Sequence, residues 1–298
     1  MTGEPNLLGD YLRARRELVT PADAGLPQFG PRRVPGLRRE EVAMLAGISA
    51  DYYLRLEQGR DRHPSVQVLE SLARVLRLDD DGAAYLLSLG SDKPRRTRRR
   101  PRPEVVPAGI RALLGSLTLP AFVEGRCFDV LAANSLATVL SPRLVAGRNR
   151  LRDVFLDPAE QALYPNWEGA AAALVAGFRE SIGTDTDDPR FIELVGELSL
   201  ASDRFRQLWA RHDVRSRAGA AVTLDHPQAG ELTLNREKLM IGGTDGQLLA
   251  IYHAEPGTSS AEKLSLLASY STSAPGPGPA RGGQAQTGEV SADSRSQR

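Results

Sequence analysis

RREEVAMLAGISADYYLRLEQGR, residues 38–60, reads as two short helices on either side of a tight turn. The first is expected over residues 39–46 and the second over 49–58, with Gly47 and Ile48 between them. Gly47 supplies a positive φ with no Cβ to clash. Ala43, four residues earlier, is small enough to let the helices close on each other. Val42, Ala46, Ile48, Tyr53 and Leu56 fall on the surface the two helices share. Ser49 can cap the second helix by accepting a hydrogen bond from an N–H near Tyr52. This is the layout of a helix-turn-helix, whose second helix enters a DNA major groove with its N-terminal residues at the base edges. Such units also occur inside ordinary helical proteins, so the flanking segments decide.

Those segments are helical as well. Leu7, Leu8, Tyr11 and Leu12 recur at helical spacing upstream, followed by Arg13, Arg15 and Arg16. Downstream, SVQVLESLARVLRL sets Val66, Leu69, Leu72, Ala73 and Leu76 on one face. DDDGAAYLLSLG opens on acidic residues, as a helix N-terminus favours, and stops at Gly90. Five helices around one core predict an all-α, repressor-like domain. Residues 38–60 with Pro64-Ser65 resemble the Xre family of helix-turn-helix regulators, the Cro and lambda repressor type. The resemblance implies that a Glu near the end of the recognition helix pairs with an Arg of the first helix. Glu57 and Arg16 match those positions, which marks them as structural rather than DNA-reading.

The 298 residues suggest about two domains, and an apolar fraction of 41% is enough for real cores. A net charge of +1 by itself points to no polyanion. Its distribution does: residues 1–103 hold 19 Arg/Lys against 14 Asp/Glu, and the remainder 19 against 23. Positive charge thus gathers on the half that carries the helix-turn-helix, as a phosphate-facing surface requires. Up to Gly90 every basic residue is Arg, which favours bidentate contacts. A single cysteine, Cys127, excludes an internal disulfide framework and fits a reducing cytoplasm; its apolar neighbours point to a buried small hydrophobe. No signal peptide is read in MTGEPNLLGD, and no apolar run approaches ~18 residues, so no membrane partner is expected.

Residues 1–90 are assigned to the DNA-binding domain. Inside it, LVTPADAGLPQFGPRRVPGL carries four prolines and cannot continue a helix; Arg32 and Arg33 at its far end either reach a phosphate backbone or sit on a solvated loop. Residues 91–103, with seven Arg/Lys against one Asp, form a stiff basic linker that either tracks DNA or merely tethers the domains. Residues 104–270 form a second, α+β domain. PAFVEGRCFDVLAANS reads as a hairpin, and SLATVLS, EGAAAALVAGFRESIG and PRFIELVGELSLASDRFRQLWARH as helices. AAVTLDHP, GELTLNREKLMIG and QLLAIYHAE read as strands. One antiparallel sheet with helices on a face is expected, a PAS-like arrangement. Residues 271–298, rich in Ser, Gly, Pro and Ala, read as a disordered tail.

Over nearly all of residues 1–270 the chain is similar to the MmyB-like regulators. The likeness is carried by GLRREEVAMLAGISADYYLRLEQGR, RNRLRDVFLD, LYPNWEGAAAALVAGFR, VGELSLASDRFRQLWARHDVR, HPQAGELTL and IYHAEPG. It implies an Xre-type domain joined to a PAS-like ligand-binding domain in a dimeric transcription factor controlled by a small molecule. A fatty acid is associated with one member type, and that ligand does not carry over to this chain by resemblance alone. Members of that family often carry an aromatic residue beside the Asn of the strand-to-helix turn; here Ala133 precedes Asn134, so the pocket differs there.

Position in the motif assigns the DNA contacts. Ser49, Ala50, Asp51 and Tyr52 open the recognition helix, and Arg55 lies one turn on, where it can offer two donors to guanine. Ala50 can meet a thymine methyl, and Asp51 either accepts from cytosine or orients Arg55 four residues away. Arg38 and Arg39 at the preceding helix N-terminus, with Arg60 and Arg62, are expected on phosphates. In the second domain Phe122, Phe128, Trp167, Phe178, Phe205 and Trp209 are candidates for a ligand wall or for plain core. Asn134, Arg211 and His212, with Arg148, Asn149 and His226, are the polar candidates, and Arg211-His212-Asp213 either orients an anionic head group or fixes the corner between helix and strand. No cofactor or metal is expected, since the four histidines lack ligand spacing, and no enzyme signature is present. A hydrolase-like rival would need Asp213 or Asp225 with His212 or His226, and a second rival is a dimerisation module without ligand. The sequence therefore predicts a cytoplasmic, homodimeric, ligand-controlled repressor that binds an operator in double-stranded DNA.

Overall fold

The computed structural model describes residues 6–27, 34–91, 104–183, 185–215 and 219–273. Arg32, Arg33, residues 92–103 of the basic linker and the tail beyond residue 273 lie outside these.

Five helices build the N-terminal domain: α1 (Leu7–Leu18), α2 (Arg39–Ala46), α3 (Ala50–Glu57), α4 (Val66–Val75) and α5 (Asp80–Gly90). Local chemistry sets their starts. Asn6, Ser49, Ser65 and Asp79 each accept a backbone N–H at the head of the helix that follows. Their apolar faces meet in one core around Leu12, Leu37, Val42, Tyr53, Leu56 and Leu72, all without solvent exposure. Gly9 allows the close crossing of α1 and α3. A Cβ there would lie 2.3 Å from the carbonyl oxygen of Glu57, so any larger residue pushes the recognition helix away.

The C-terminal domain begins with α6 (Ala108–Ser116), followed by β1 (Ala121–Glu124) and β2 (Val130–Ala133). Six helices come next: α7 (Ser135–Leu140), α8 (Arg150–Leu156), α9 (Pro158–Ala162), α10 (Trp167–Ile182), α11 (Pro189–Ala201) and α12 (Asp203–Ala210). β3 (Ala220–His226), β4 (Gly230–Met240), β5 (Leu248–His253) and α13 (Ser259–Ser273) complete it. The strands form one antiparallel sheet in the order β2-β1-β5-β4-β3.

Helices cover both faces of this sheet, not one as the sequence suggested. β1 and β5, at the middle of the sheet, are buried on each side, which is why. Ala121, Val123 and Leu249 face α6, whereas Phe122, Ala250 and Tyr252 face the side closed by α7 and α13. The 189–212 segment is two helices instead of one. Ser202 leaves the helical region (φ −137°), and its hydroxyl accepts the N–H of Phe205 to start α12. Helices α8, α9 and α13 lie where no helix was expected, and α13 runs across the expected boundary at 270.

Candidate nucleic-acid interface

α2 ends at Gly47, whose φ of 71° places it in the left-handed region and lets its N–H reach back to Ala43 and Met44. The chain resumes at Ser49, whose Oγ accepts the Tyr52 N–H at 3.1 Å. α3 then turns Tyr53, Leu56 and Glu57 inward and leaves Ser49, Ala50 and Asp51 exposed, with Tyr52 and Arg55 partly so. Arg55 is held ready on this outer face. Its Nη1 pairs with Asp51, and its guanidinium lies 5.5 Å from the centre of the Tyr52 ring. Asp51 thus has the orienting geometry.

Glu57 anchors α3 from behind. It is fully buried, and its two oxygens accept from Arg16 Nε at 2.7 Å and Arg39 Nε at 2.6 Å. Burial raises its pKa, but the hydrogen bonds and charges of Arg16 and Arg39 outweigh this and hold it below the ordinary carboxylate value. Arg16 also donates from Nη1 to the Leu37 carbonyl at 3.0 Å, which fixes the entry to α2. The Glu57–Arg16 pair implied by resemblance is therefore present. Arg39 has a role the sequence did not reveal: one edge clamps Glu57 while the side chain stays 44% exposed. Arg38 and Arg60 are exposed at the two ends of the motif, and Arg62 donates from Nε to the Gly59 carbonyl. Asn6 was also missed. Its Nδ2 donates to the Glu57 carbonyl at 2.8 Å while its Oδ1 caps α1. A cap residue directly before Leu7-Leu8 was the available signal.

In the C-terminal domain the proposed wall residues separate into two groups. Phe128, Phe178, Phe205 and Trp209 come together: Phe128 meets Phe178 edge-on, and Trp209 stacks on Phe205 with centroids 5.9 Å apart and planes 6° from parallel. Trp167 joins through Phe155 and donates from its indole to the Val154 carbonyl. Phe122 lies in a separate core on the sheet, stacked on Tyr252 and beneath Arg150. Asn134 is a corner piece. Its Oδ1 accepts from Ala121 and Ala137, and its Nδ2 donates to Leu119. Asn149 caps α8 and bonds Cys127 and Asp129, Arg148 pairs with Asp153, and His226 holds the turn into β4 and contacts the Val139 carbonyl. His226, one of the groups a hydrolase-like site would use, is thus engaged by backbone partners. Between α7 and α13 lies an apolar crevice of about 10 Å³ lined by Leu136, Val139, Leu140, Leu264 and Leu267. It has room for roughly one water.

Sequence reasoning missed Glu124 and Arg179, both buried in this domain. Glu124, without exposure, accepts from Arg150 at 2.5 Å and from Lys238 at 3.0 Å. Arg179 of α10 is buried beside the Trp209 ring, 3.7 Å from its centre. Arg211 donates to Asp213 at 2.8 Å, and Asp213 accepts from Arg15 of α1 at 2.5 Å. The Arg211-His212-Asp213 run is thereby part of a contact between domains. Burial pushes the Cys127 thiol up to about 12, with nearby carboxylates adding to it, so the thiol is inert at neutral pH. Among the described residues no cluster of His, Cys, Asp and Glu suits a metal ion, and no helix is long and apolar enough to cross a membrane.

Two family models match the chain. One, described as MmyB-like transcription regulator ligand binding domain, covers residues 106–267. The other, described as helix-turn-helix domain, covers residues 7–86. No curated protein matches it.

Proposed function

The chain belongs to the MmyB-like transcription regulators, and from that premise we propose that it is a homodimeric repressor released or engaged by a small apolar acid. It is a DNA-binding transcription regulator with a ligand-binding domain; the sign of regulation, the effector class, the dimer and a cytoplasmic location are our reading. One observation carries it. The outer face of α3 holds Ser49, Ala50, Asp51, Tyr52 and Arg55 outward, while Glu57 is pinned behind it by two arginines.

In this reading Arg55 approaches guanine O6 and N7, already aligned by Asp51 and Tyr52. Asp51 then spends its charge on Arg55 instead of facing phosphates. Ala50 meets a thymine methyl, and Ser49 and Tyr52 flank it. Arg38, Arg60, Arg62 and the free edge of Arg39 take phosphates. Two protomers place their α3 helices in successive major grooves, so the operator has inverted half-sites about one helical turn, ~34 Å, apart. The test is selection of bound duplexes from a random pool. Enrichment of an inverted repeat with that spacing supports the dimer; enrichment of a single half-site removes it.

The effector wall is assigned to Phe128, Phe178, Phe205, Trp209 and Trp167, with His212 and Arg211 at its polar end and Phe122 and Asn134 as further members in the neighbouring sheet core and at its corner. These rings pack on one another, with Phe128, Phe178 and Phe205 buried, so an effector enters by repacking them. The same tight packing favours a second reading, a dimerisation module without ligand. Thermal denaturation with dodecanoate and other apolar acids separates the two. A ligand selective for the folded form raises the melting temperature, and a module without a site shows no shift with any of them.

A further inference from the structure

The chain leaves α12 at Ala210 and turns sharply. His212 has φ of 54°, a left-handed conformation uncommon outside glycine. The turn sends the next two residues back toward the N-terminal domain. Asp213 Oδ1 accepts from Arg15 Nη1 of α1. Val214, 8% exposed, packs into the core formed by Tyr11, Leu12, Leu76 and their neighbours. Val214 is the residue that the C-terminal domain contributes to that core among the described residues.

Arg179 stands behind this elbow. It donates from Nη2 to the Trp209 carbonyl, sits over the Trp209 ring, and brings Nη1 to 3.3 Å from His212 Nδ1. It also interacts with the Tyr85 phenol of α5. Trp209 in turn packs against Phe178, Phe191 and Phe205. Continuous contact therefore runs from the aromatic core through Trp209, Arg179 and the elbow to Arg15. The next residue on α1, Arg16, holds Glu57 of the recognition helix. Adjacent arginines thus tie one helix to the elbow and to α3.

The contact is not fully satisfied. Among the described residues neither Arg15 Nε nor Arg179 Nε meets an acceptor, though both are buried. An unmet buried donor carries a desolvation cost.

We propose that the 211–214 elbow is the coupling element of this protein: repacking of the α10–α12 aromatic core shifts Trp209 and Arg179, changes the grip of Asp213 and Val214 on α1, and through Arg16–Glu57 resets the recognition helix. This rests on the reading that the core is where an effector acts, but its test needs no effector. Sites that share a two-state element are energetically coupled, and a double-mutant cycle measures that coupling. In the full-length protein, Phe205→Leu or Phe191→Leu perturbs the core without touching the N-terminal domain, and Asp213→Ala/Val214→Ser opens the elbow. Affinity is measured on a duplex selected by the wild-type protein, and hydrogen exchange is followed in α1 and α3. The expected result is that a core substitution changes affinity by about fivefold or more, a typical coupling, and alters α1 exchange in the wild-type background only. Equal effects with and without the elbow, or no effect in either, overturn the proposal. Hydrogen exchange separates a shifted α1 from a variant that has unfolded, and Phe191→Leu replaces Phe205→Leu if the latter does not fold. Thermal shift with dodecanoate tests the effector reading separately: its absence removes the effector, while a non-additive cycle still stands.

Discussion

A carboxylate with no solvent exposure stays ionised only with close cations, and Glu57 has them in Arg16 and Arg39. Replacing Glu57 by Gln leaves the buried Arg16 without its counter-charge. We expect a loss of about 3–5 kcal/mol in urea denaturation, the range for breaking a buried pair. Because the Glu57 pKa lies below its unfolded value, its contribution is present at neutral pH and is lost as pH falls through the folded value. Arg55 and Arg39 separate by role. Arg55→Ala should cost about 1–3 kcal/mol on the selected duplex and relax one base position. Arg39→Ala should weaken all duplexes alike and also lower the melting temperature, because it strips one clamp from Glu57. Competition binding across single-base variants, read beside thermal denaturation, tells these apart. A base-specific loss for Arg39 would reverse the assignment.

At the scale of elements, the turn between α2 and α3 and the elbow after α12 use the same left-handed backbone in different ways. In the first, Gly47 adopts it without strain, and Ser49 then starts a new helix. Ser49→Ala should cost about 1 kcal/mol, the usual worth of an N-cap, measured by chemical denaturation. In the second, a histidine occupies the position. His212 is pushed down to about 3, first by burial and then by the positive charges of Arg179 and Arg15. It is therefore neutral in the fold, although Asp213 lies beside it and Tyr85 packs behind Arg179. The unfolded chain takes up a proton below about 6.5 and the folded chain does not, so stability is full above that value and declines as pH falls toward 3. The slope is at most about 1.4 kcal/mol per pH unit for one group. His212→Asn tolerates the left-handed backbone and does not titrate. Denaturation at pH 7, 6 and 5 should give a steeper decline for the wild type than for this variant; parallel curves would show that His212 titrates normally.

Across the whole molecule, charge and connectivity set the behaviour. Basic residues gather on the half that carries α3, and the contacts expected of a dimer number several phosphates on each half-site. For ~6–10 phosphate contacts, affinity should fall about 10³-fold or more between ~50 and ~200 mM salt. Fluorescence anisotropy on the selected duplex measures this, and a flat response would count against phosphate engagement. The interdomain contact adds a constraint that neither domain has alone. Arg15 and Asp213 are 198 residues apart in the chain, yet their pair ties α1 to the end of α12. Binding in either domain is therefore expected to alter the other, in proportion to how differently it contacts the two arrangements.

The sequence by itself determined the α2–turn–α3 unit, its outward and inward faces and the hairpin of β1 and β2. These depend on a glycine, a capping serine and apolar spacing within some twenty residues, and local backbone preference decides them. The order of strands past the hairpin, the break at Ser202 and the helix on the second sheet face needed more, because an apolar residue does not state which surface it will cover. Only the tertiary structure decided that Arg39 turns an edge to Glu57, that Arg179 lies on Trp209, and that Val214 completes the core of the other domain. Partnerships of this kind join residues far apart in the chain. They are selected by the packing of whole surfaces, which brings polar groups together and removes the water that would otherwise satisfy them.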